Sequence, residues 1–460
     1  MFTPARSILP VAVVLSCSIA SLYAQSPAPG IKDGPQALPP VPPLPARLEL
    51  NDGDTFVFLG DSITHQCLYT QYVENYFYTR YPQKRIRFHN AGVSGDIASN
   101  ALDRFEEDVA AYRPKAVSIL LGMNDGRYRP YDQAIFDTYQ SGMTIILDKI
   151  SALGAAPILM TPTMHDARAA RLAGKAQEPR DTYYNGVLSL YGAWLREGAQ
   201  QRGLNFVDMY SPLNHITLEQ RRTAPEWTMI KDAIHPGPAG QFVMAAALIG
   251  DVFPKSQVGA VTLQQKDGLW TASASNGRVT ELEATDGLAF TFHCNSLPWV
   301  VPADAAEGYK LTHAGHRMSN EKVTVRNLPP GKYEIRIDGQ PIGHWTDGQL
   351  AFGVEIGENP ATPQYQQALK VAGLNQRRNA EAYVRIRNEY GALKSRRNKI
   401  RALEGKPEAA AMAAEFEAWK VGMPDRVKAL RDNAQAFEDE IYQVNQPTPH
   451  RYEVAAVKAP

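Results

Sequence analysis

Two stretches far apart in the chain hold residue types that can do nucleophilic chemistry together. Gly60-Asp61-Ser62 places a hydroxyl directly after the apolar run Val57-Phe58-Leu59, and an amphipathic helical pattern (Tyr69, Tyr72, Val73, Tyr76, Phe77) starts a few residues later. That order reads as a strand, a tight turn and a helix N-terminus. Charge developing beside Ser62 would there meet free backbone N–H groups and the positive end of a helix dipole. Serine in such a turn is also a favoured helix N-cap, so Ser62 alone does not separate a cap from a nucleophile. The second stretch, Lys231-Asp232-Ala233-Ile234-His235-Pro236, supplies the partners a nucleophile needs. A carboxylate three residues ahead of an imidazole can reach its Nδ1 within one turn of chain, leaving Nε2 to face a hydroxyl. An isolated Asp-x-x-His is most often a surface turn, so its weight comes from where the fold puts it.

The elements that must position these residues are legible from periodicity. Apolar strand patterns cover 55–60, 86–89, 116–121, 157–161 and 205–209, and helical patterns cover 66–80, 97–112, 131–153, 181–202 and 238–253. Strands that are apolar throughout and alternate with helices predict a parallel sheet covered on both faces. Ligands of such sheets sit beyond the carboxyl ends of the strands. The loops at that edge are Gly60-Asp61-Ser62, Asn90-Ala91-Gly92-Val93-Ser94-Gly95-Asp96, Gly122-Met123-Asn124-Asp125 and Thr161-Pro162-Thr163-Met164-His165. All are rich in glycine or short polar residues, which permit unusual backbone angles and present N–H groups. Turn chemistry alone explains any one of them, but it does not explain Ser62, Asn124 and Asp232-x-x-His235 converging on one edge.

Taken in order, these blocks resemble the SGNH (GDSL-type) hydrolase family over about residues 55–250. Ser62 in Gly60-Asp61-Ser62 matches the family's nucleophile, Gly95 the glycine of the second block, Asn124 the asparagine of the third, and Asp232 with His235 the last block. The resemblance implies an α/β, flavodoxin-like parallel sheet of order 2-1-3-4-5 and a serine esterase. In it, Ser62, His235 and Asp232 form the triad. The Ser62 and Gly95 N–H groups and the Asn124 amide hold the oxyanion, and Gly60, Asp61 and Asp125 support the motifs. Neither a metal nor an organic cofactor is called for. The substrate implied is a small ester or an O-acylated glycan. A lipid or aryl esterase or thioesterase is the alternative enzyme, and a glycan-binding or scaffold protein with a decayed hydrolase domain is the alternative outside catalysis.

The bulk numbers bound the rest. A chain of 460 residues is long for one ordinary domain. Lys+Arg and Asp+Glu balance at 48 each, so no global field recruits nucleic acid or an anionic membrane. Residues 1–24 read as an export signal whose apolar core is too short to span a bilayer, which predicts a periplasmic or extracellular protein. The stretch Val14-Leu15-Ser16-Cys17 fits a lipoprotein box poorly, so lipidation at Cys17 is not expected. Cys67 and Cys294 then remain, leaving a disulfide and two free thiols both open.

Residues 25–46 form a proline-rich tether, and 47–254 the hydrolase domain. In 255–358, short strand patterns separated by turns predict a small antiparallel β region, with Trp299 readable either as packing or as a sugar-stacking surface. Residues 359–460 read as a helical hairpin and tail. Its first run is rich in arginine (Arg377, Arg378, Arg385, Arg387, Arg396, Arg397) and its second in acidic residues (Glu415, Glu417, Asp432, Glu438, Asp439, Glu440). Charge pairing between the two runs is the simplest expectation. Contact with another protein through these helices is left open.

Overall fold

The computed structural model describes residues 42–43, 45–254, 257–285 and 287–457; residues 1–24, expected to be an export signal and including Cys17, and nearly all of the expected tether lie outside them. Strands β1 (Thr55–Gly60), β2 (Arg87–Gly92), β3 (Ala116–Leu120), β4 (Ala156–Met160) and β5 (Asn205–Val207) pair in parallel, in the order β2-β1-β3-β4-β5. Side chains alternate across a strand, and β1 shows the consequence. Phe56 and Phe58 enter a core shared with helices Leu68–Arg80 and Pro238–Val252, whereas Val57 and Leu59 enter a second core with helices Gln133–Ala152 and Arg180–Arg202. Burial on both faces is why β1 carries the unbroken apolar run Phe56-Val57-Phe58-Leu59.

The helix expected over 97–112 is instead three short pieces, Ala98–Asp103, Phe105–Asp108 and a 3-10 turn at Ala110–Tyr112. Arg104 stands at the first break and turns its guanidinium inward onto Asp96 and Asp108. Those buried ionic contacts override the continuity that periodicity alone suggests.

Downstream, two sheets face each other across one apolar core that includes Val261, Val323 and Val325 from the first and Phe290, Ile335 and Tyr452 from the second. The first contains strands Val354–Glu355, Glu321–Arg326, Gly259–Lys266 and Leu269–Ser275, antiparallel apart from one parallel pair. The second is antiparallel, and its middle strand, His450–Ala456, comes from the expected tail and pairs with Lys332–Ile337 and Leu288–Cys294. Trp299 is 1% exposed, donates its indole N–H to Tyr72 O (2.9 Å) and packs on Phe242 and Tyr76, so it is a core residue and no sugar platform. Cys67 and Cys294 are unbonded. Among the described residues no helix is long and apolar enough to cross a membrane.

Helices Pro363–Arg378 and Val384–Ala402 are joined by a π-helical turn, Asn379–Tyr383, and are followed by Glu408–Val421 and Met423–Val444. Most of their charge pairing is not the expected pairing within the hairpin. Arg378 meets Glu74 (3.2 Å) as well as Glu438 (3.5 Å), and Arg387 meets Asp108 through two bonds of 2.6 and 3.0 Å. Lys394 meets Asp96 (2.9 Å) and Arg401 meets Asp103 (3.0 Å), while Arg396 lies over the Trp419 ring. The π turn faces the same way: Asn379 donates to Glu74 Oε2 (2.8 Å) and the Tyr383 hydroxyl to Phe88 O (2.7 Å). The arginine-rich run therefore bonds chiefly to carboxylates of the parallel-sheet domain, whose buried anions it helps to neutralise.

Breaking a buried pair strands a charge and typically costs about 3–5 kcal/mol. Arg387→Met leaves Asp108 with Arg104 and His89, so a loss near the lower end, about 3 kcal/mol, is expected. Urea denaturation of parent and variant measures it, and an unchanged midpoint would show the pair to be dispensable.

Candidate active site

The carboxyl end of β1 runs directly into a one-turn helix, Ser62–His65. Asp61, not Ser62, caps it: Asp61 Oδ1 accepts the Ile63 N–H at 2.9 Å. Gly60 is required by close approach, because a Cβ there would stand 2.2 Å from Thr64 Oγ1 and 2.9 Å from Leu120 O. With capping assigned to Asp61, the Ser62 hydroxyl is left half-buried and lies 2.8 Å from His235 Nε2.

His235 is presented by a loop that its own carboxylate organises. Asp232 Oδ1 accepts the backbone N–H of Ile234 (3.0 Å) and His235 (2.7 Å), and Oδ2 lies 2.7 Å from His235 Nδ1. Ala233 adopts a left-handed φ of 71° to close this turn, and the helix Pro238–Val252 follows with a proline in its first turn. Partial burial pushes the Asp232 carboxyl up, but the His235 and Ile234 N–H groups and the imidazole outweigh it and hold the group below its usual range. Ser62, His235 and Asp232 thus stand in one hydrogen-bonded line.

The neighbouring loops add donors. The Ser62 and Gly95 backbone N–H groups have no hydrogen-bond partner among the described residues. Gly95 sits at φ +71°, a left-handed conformation that suits glycine. Asn124 Nδ2 donates to Asp96 O at 3.0 Å and lies 3.5 Å from Asp61 Oδ2, and Asn124 Oδ1 accepts from the Tyr128 hydroxyl at 2.9 Å. Asp125 ties the third loop to the second by accepting the Ala98 N–H at 2.8 Å. The fourth loop sends no titratable group here: His165 is buried and bonds Asp181 at 2.6 Å. Among the described residues no group of three or more His, Cys, Asp or Glu is arranged to hold a metal ion.

Three residues that motif spacing does not mark also shape the site. His65 Nδ1 lies 3.2 Å from both the N–H and the hydroxyl of Ser94, and its Nε2 lies 3.1 Å from Asn388 Oδ1. Since the Ser94 N–H can only donate and Asn388 Oδ1 can only accept, the proton is on Nε2. Lys394 donates to Ser94 O at 3.0 Å and pairs with Asp96, so the helix Val384–Ala402 grips the Gly95 loop at two points. Tyr128 is the third. No local signal in the sequence connects Asn388 or Lys394 to Ser94, because the contact spans three hundred residues of chain.

The comparisons with known proteins agree with this architecture. A family-model match and an esterase relative support a hydrolase of ester bonds. Residues 58–242 match the model of the GDSL-like Lipase/Acylhydrolase family, and this domain of the chain belongs to that family. An acetylxylan esterase from Geobacillus stearothermophilus is 27% identical over 228 residues, covering 45% of this chain and 96% of that protein. Among solved structures, a gut microbial diltiazem-metabolizing enzyme matches with a TM-score of 0.74 at 22% identity, over 89% of this chain and 99% of that one. That likeness is one of fold, and it extends across both halves of the molecule.

Burial, reinforced by nearby Asp125 and Asp96, raises the Asp61 carboxyl to about 7 against the Ile63 N–H bond that lowers it. A carboxyl whose folded value lies above its unfolded one contributes stability below about pH 4, and that contribution is lost as pH rises towards 7. Asp61→Asn keeps the capping acceptor and removes the ionisation. Its stability relative to the parent is expected to improve from pH 5 to pH 8, measured by urea midpoints; a constant difference would show that Asp61 ionises at its ordinary value.

Proposed function

We propose that the protein is a carbohydrate O-acyl esterase that works through a Ser62–His235–Asp232 triad. The observation that carries this reading is the line of short contacts from Ser62 Oγ to His235 Nε2 to Asp232, set beside the uncommitted N–H groups of Ser62 and Gly95. As Ser62 Oγ attacks the ester carbonyl, His235 Nε2 takes its proton and Asp232 stabilises the imidazolium. The carbonyl oxygen becomes an oxyanion that the Ser62 and Gly95 N–H groups and the Asn124 amide can meet. Collapse expels the alcohol, to which His235 returns the proton, and leaves an acyl-serine. Water deprotonated by His235 then attacks the acyl-serine, releasing the acid and restoring the hydroxyl.

Two observations support a glycan ester. The relative from Geobacillus stearothermophilus is an acetylxylan esterase that aligns over almost its whole length. The loops that carry the site residues are also open and polar, with Ser94, Gly95, Arg127, Lys231 and Asp232 all exposed. Such a rim suits a short acyl group on a large hydrophilic alcohol better than a long apolar chain. The export signal read from residues 1–24 would bring the enzyme to extracellular polymers.

Ser62→Ala is expected to abolish ester turnover and labelling by a fluorophosphonate probe with the fold intact; retained activity would remove Ser62 as nucleophile. Asn124→Ala is expected to lower kcat about a hundredfold or more without a comparable change in KM. Acetate release from acetylated xylan oligosaccharides, compared with hydrolysis of aryl octanoates, tests the substrate. A kcat/KM at least about tenfold higher for the glycan acetate is expected, and a preference for the octanoate would overturn the glycan assignment.

A further inference from the structure

We propose that Tyr128 is a positioning residue for this reaction: its hydroxyl, acting on Asn124 Oδ1 while the Asp96 carbonyl holds Nδ2, locks the orientation of the Asn124 side-chain amide so that an N–H, not the carbonyl, faces the oxyanion. The inference rests on the triad reading above. A side-chain amide has two ends of nearly equal size, and a half-turn about its last torsion would put an acceptor where a donor is needed. The backbone oxygen of Asp96 can only accept, and it lies 3.0 Å from one end of the amide, which is therefore Nδ2. The other end is then Oδ1, and the Tyr128 hydroxyl 2.9 Å away must be its donor. One Nδ2 hydrogen is taken by Asp96 O. The second has only the 3.5 Å approach to Asp61 Oδ2 and is available to a substrate oxygen.

The backbone of the third loop is bent to deliver that hydroxyl. Arg127 and Tyr128 both adopt left-handed φ values, 54° and 53°. Each is unfavourable for a residue with a side chain and persists only where the surroundings enforce it. The enforcement is visible. Gly122 at φ +126° begins the loop, and the Arg127 N–H bonds Asn124 O at 3.0 Å. Gly126 passes so close to Tyr184 that a Cβ would lie 2.8 Å from its hydroxyl oxygen. Tyr184 in turn donates to Met123 O and packs its ring against that of Tyr128, centroids 4.9 Å apart. The chain thereby doubles back and sets the Tyr128 hydroxyl over the residue four positions earlier. Burial also raises the hydroxyl's pKa, so it stays a donor throughout the working range of a histidine-based esterase.

Tyr128→Phe keeps the ring and its packing and removes only the hydroxyl. A double-mutant cycle on the full chain, with p-nitrophenyl acetate as substrate, tests the role. In the parent background Tyr128→Phe is expected to lower kcat about tenfold with KM changed less than twofold, part of the loss from deleting a donor outright. In the Asn124→Ala background the same substitution is expected to change kcat less than twofold, because no amide is left to orient. Two results would overturn the proposal: kcat within twofold of the parent in the single variant, or an equal fold-loss on both backgrounds. Loss of activity in Ser62→Ala, run alongside, tests the triad separately, so failure of that reading and failure of the Tyr128 role give different patterns.

Discussion

Asp108 is the point on which the molecule turns. It is fully buried, and its two oxygens take Arg387 at 2.6 and 3.0 Å, Arg104 at 2.6 Å and His89 at 3.0 Å. Burial alone would push this carboxyl up, but Arg387, His89 and Arg104 hold it well below the ordinary range. With two guanidiniums already neutralising Asp108, burial pushes His89 down to about 4, so the imidazole serves as a neutral donor. Arg104 also bonds Asp96 at 2.9 Å and reaches the carbonyl of Gly60 at 3.3 Å. One buried carboxylate thus ties the end of β1, the broken helix after the second loop and the helix Val384–Ala402 into a single ionic knot. Removing either guanidinium would leave the buried carboxylate with only part of its charge compensated in low dielectric.

That knot makes the C-terminal helices part of the hydrolase. Asp96 is shared between Arg104 and Lys394, and the peptide of Ser94 is held at both ends, its N–H by His65 and its oxygen by Lys394. His65 is itself anchored by Asn388. The loop presenting Gly95 is therefore clamped between the first loop and a helix three hundred residues later. A donor held in place before substrate arrives needs no reorganisation when charge develops. The β region and the helices would otherwise look like appendages, and the fold shared over 89% of the chain with a diltiazem-metabolizing enzyme spans them too.

What was legible in the sequence follows from where the information lies. The five parallel strands and the long helices announce themselves through local periodicity, and β1 is found at its expected bounds because burial on both faces requires an unbroken apolar run. The approach of Ser62 to His235 was legible because Ser62 follows the first strand and His235 lies in the loop entering the last helix of the sheet domain, at the same edge. The knot was not. Arg378 and Arg387 look like any solvated arginine on a helix, and nothing within a few residues of them names Glu74 or Asp108. Strand His450–Ala456 is hidden for the same reason, since its partners Lys332–Ile337 and Leu288–Cys294 lie before the helices. Tyr128 escapes notice because left-handed backbone at a tyrosine is imposed by Gly126 and Tyr184 rather than by its own propensity.

The contiguity of Gly60-Asp61-Ser62 has a physical reason that the motif by itself does not state. Each residue answers a different demand at one bend of chain. Gly60 must lack a side chain because Thr64 and the end of β3 occupy its space. The second N–H of the short helix, that of Ile63, needs a capping acceptor, which Asp61 supplies. Had serine done the capping, its hydroxyl would be turned to the backbone and lost to the histidine. With the carboxylate as cap, Ser62 becomes the first helical residue, its N–H stays uncommitted and its hydroxyl points at His235 Nε2. The cap and the hydroxyl have to be adjacent and in that order, because only the residue immediately after the cap offers a free backbone donor and a free side chain together.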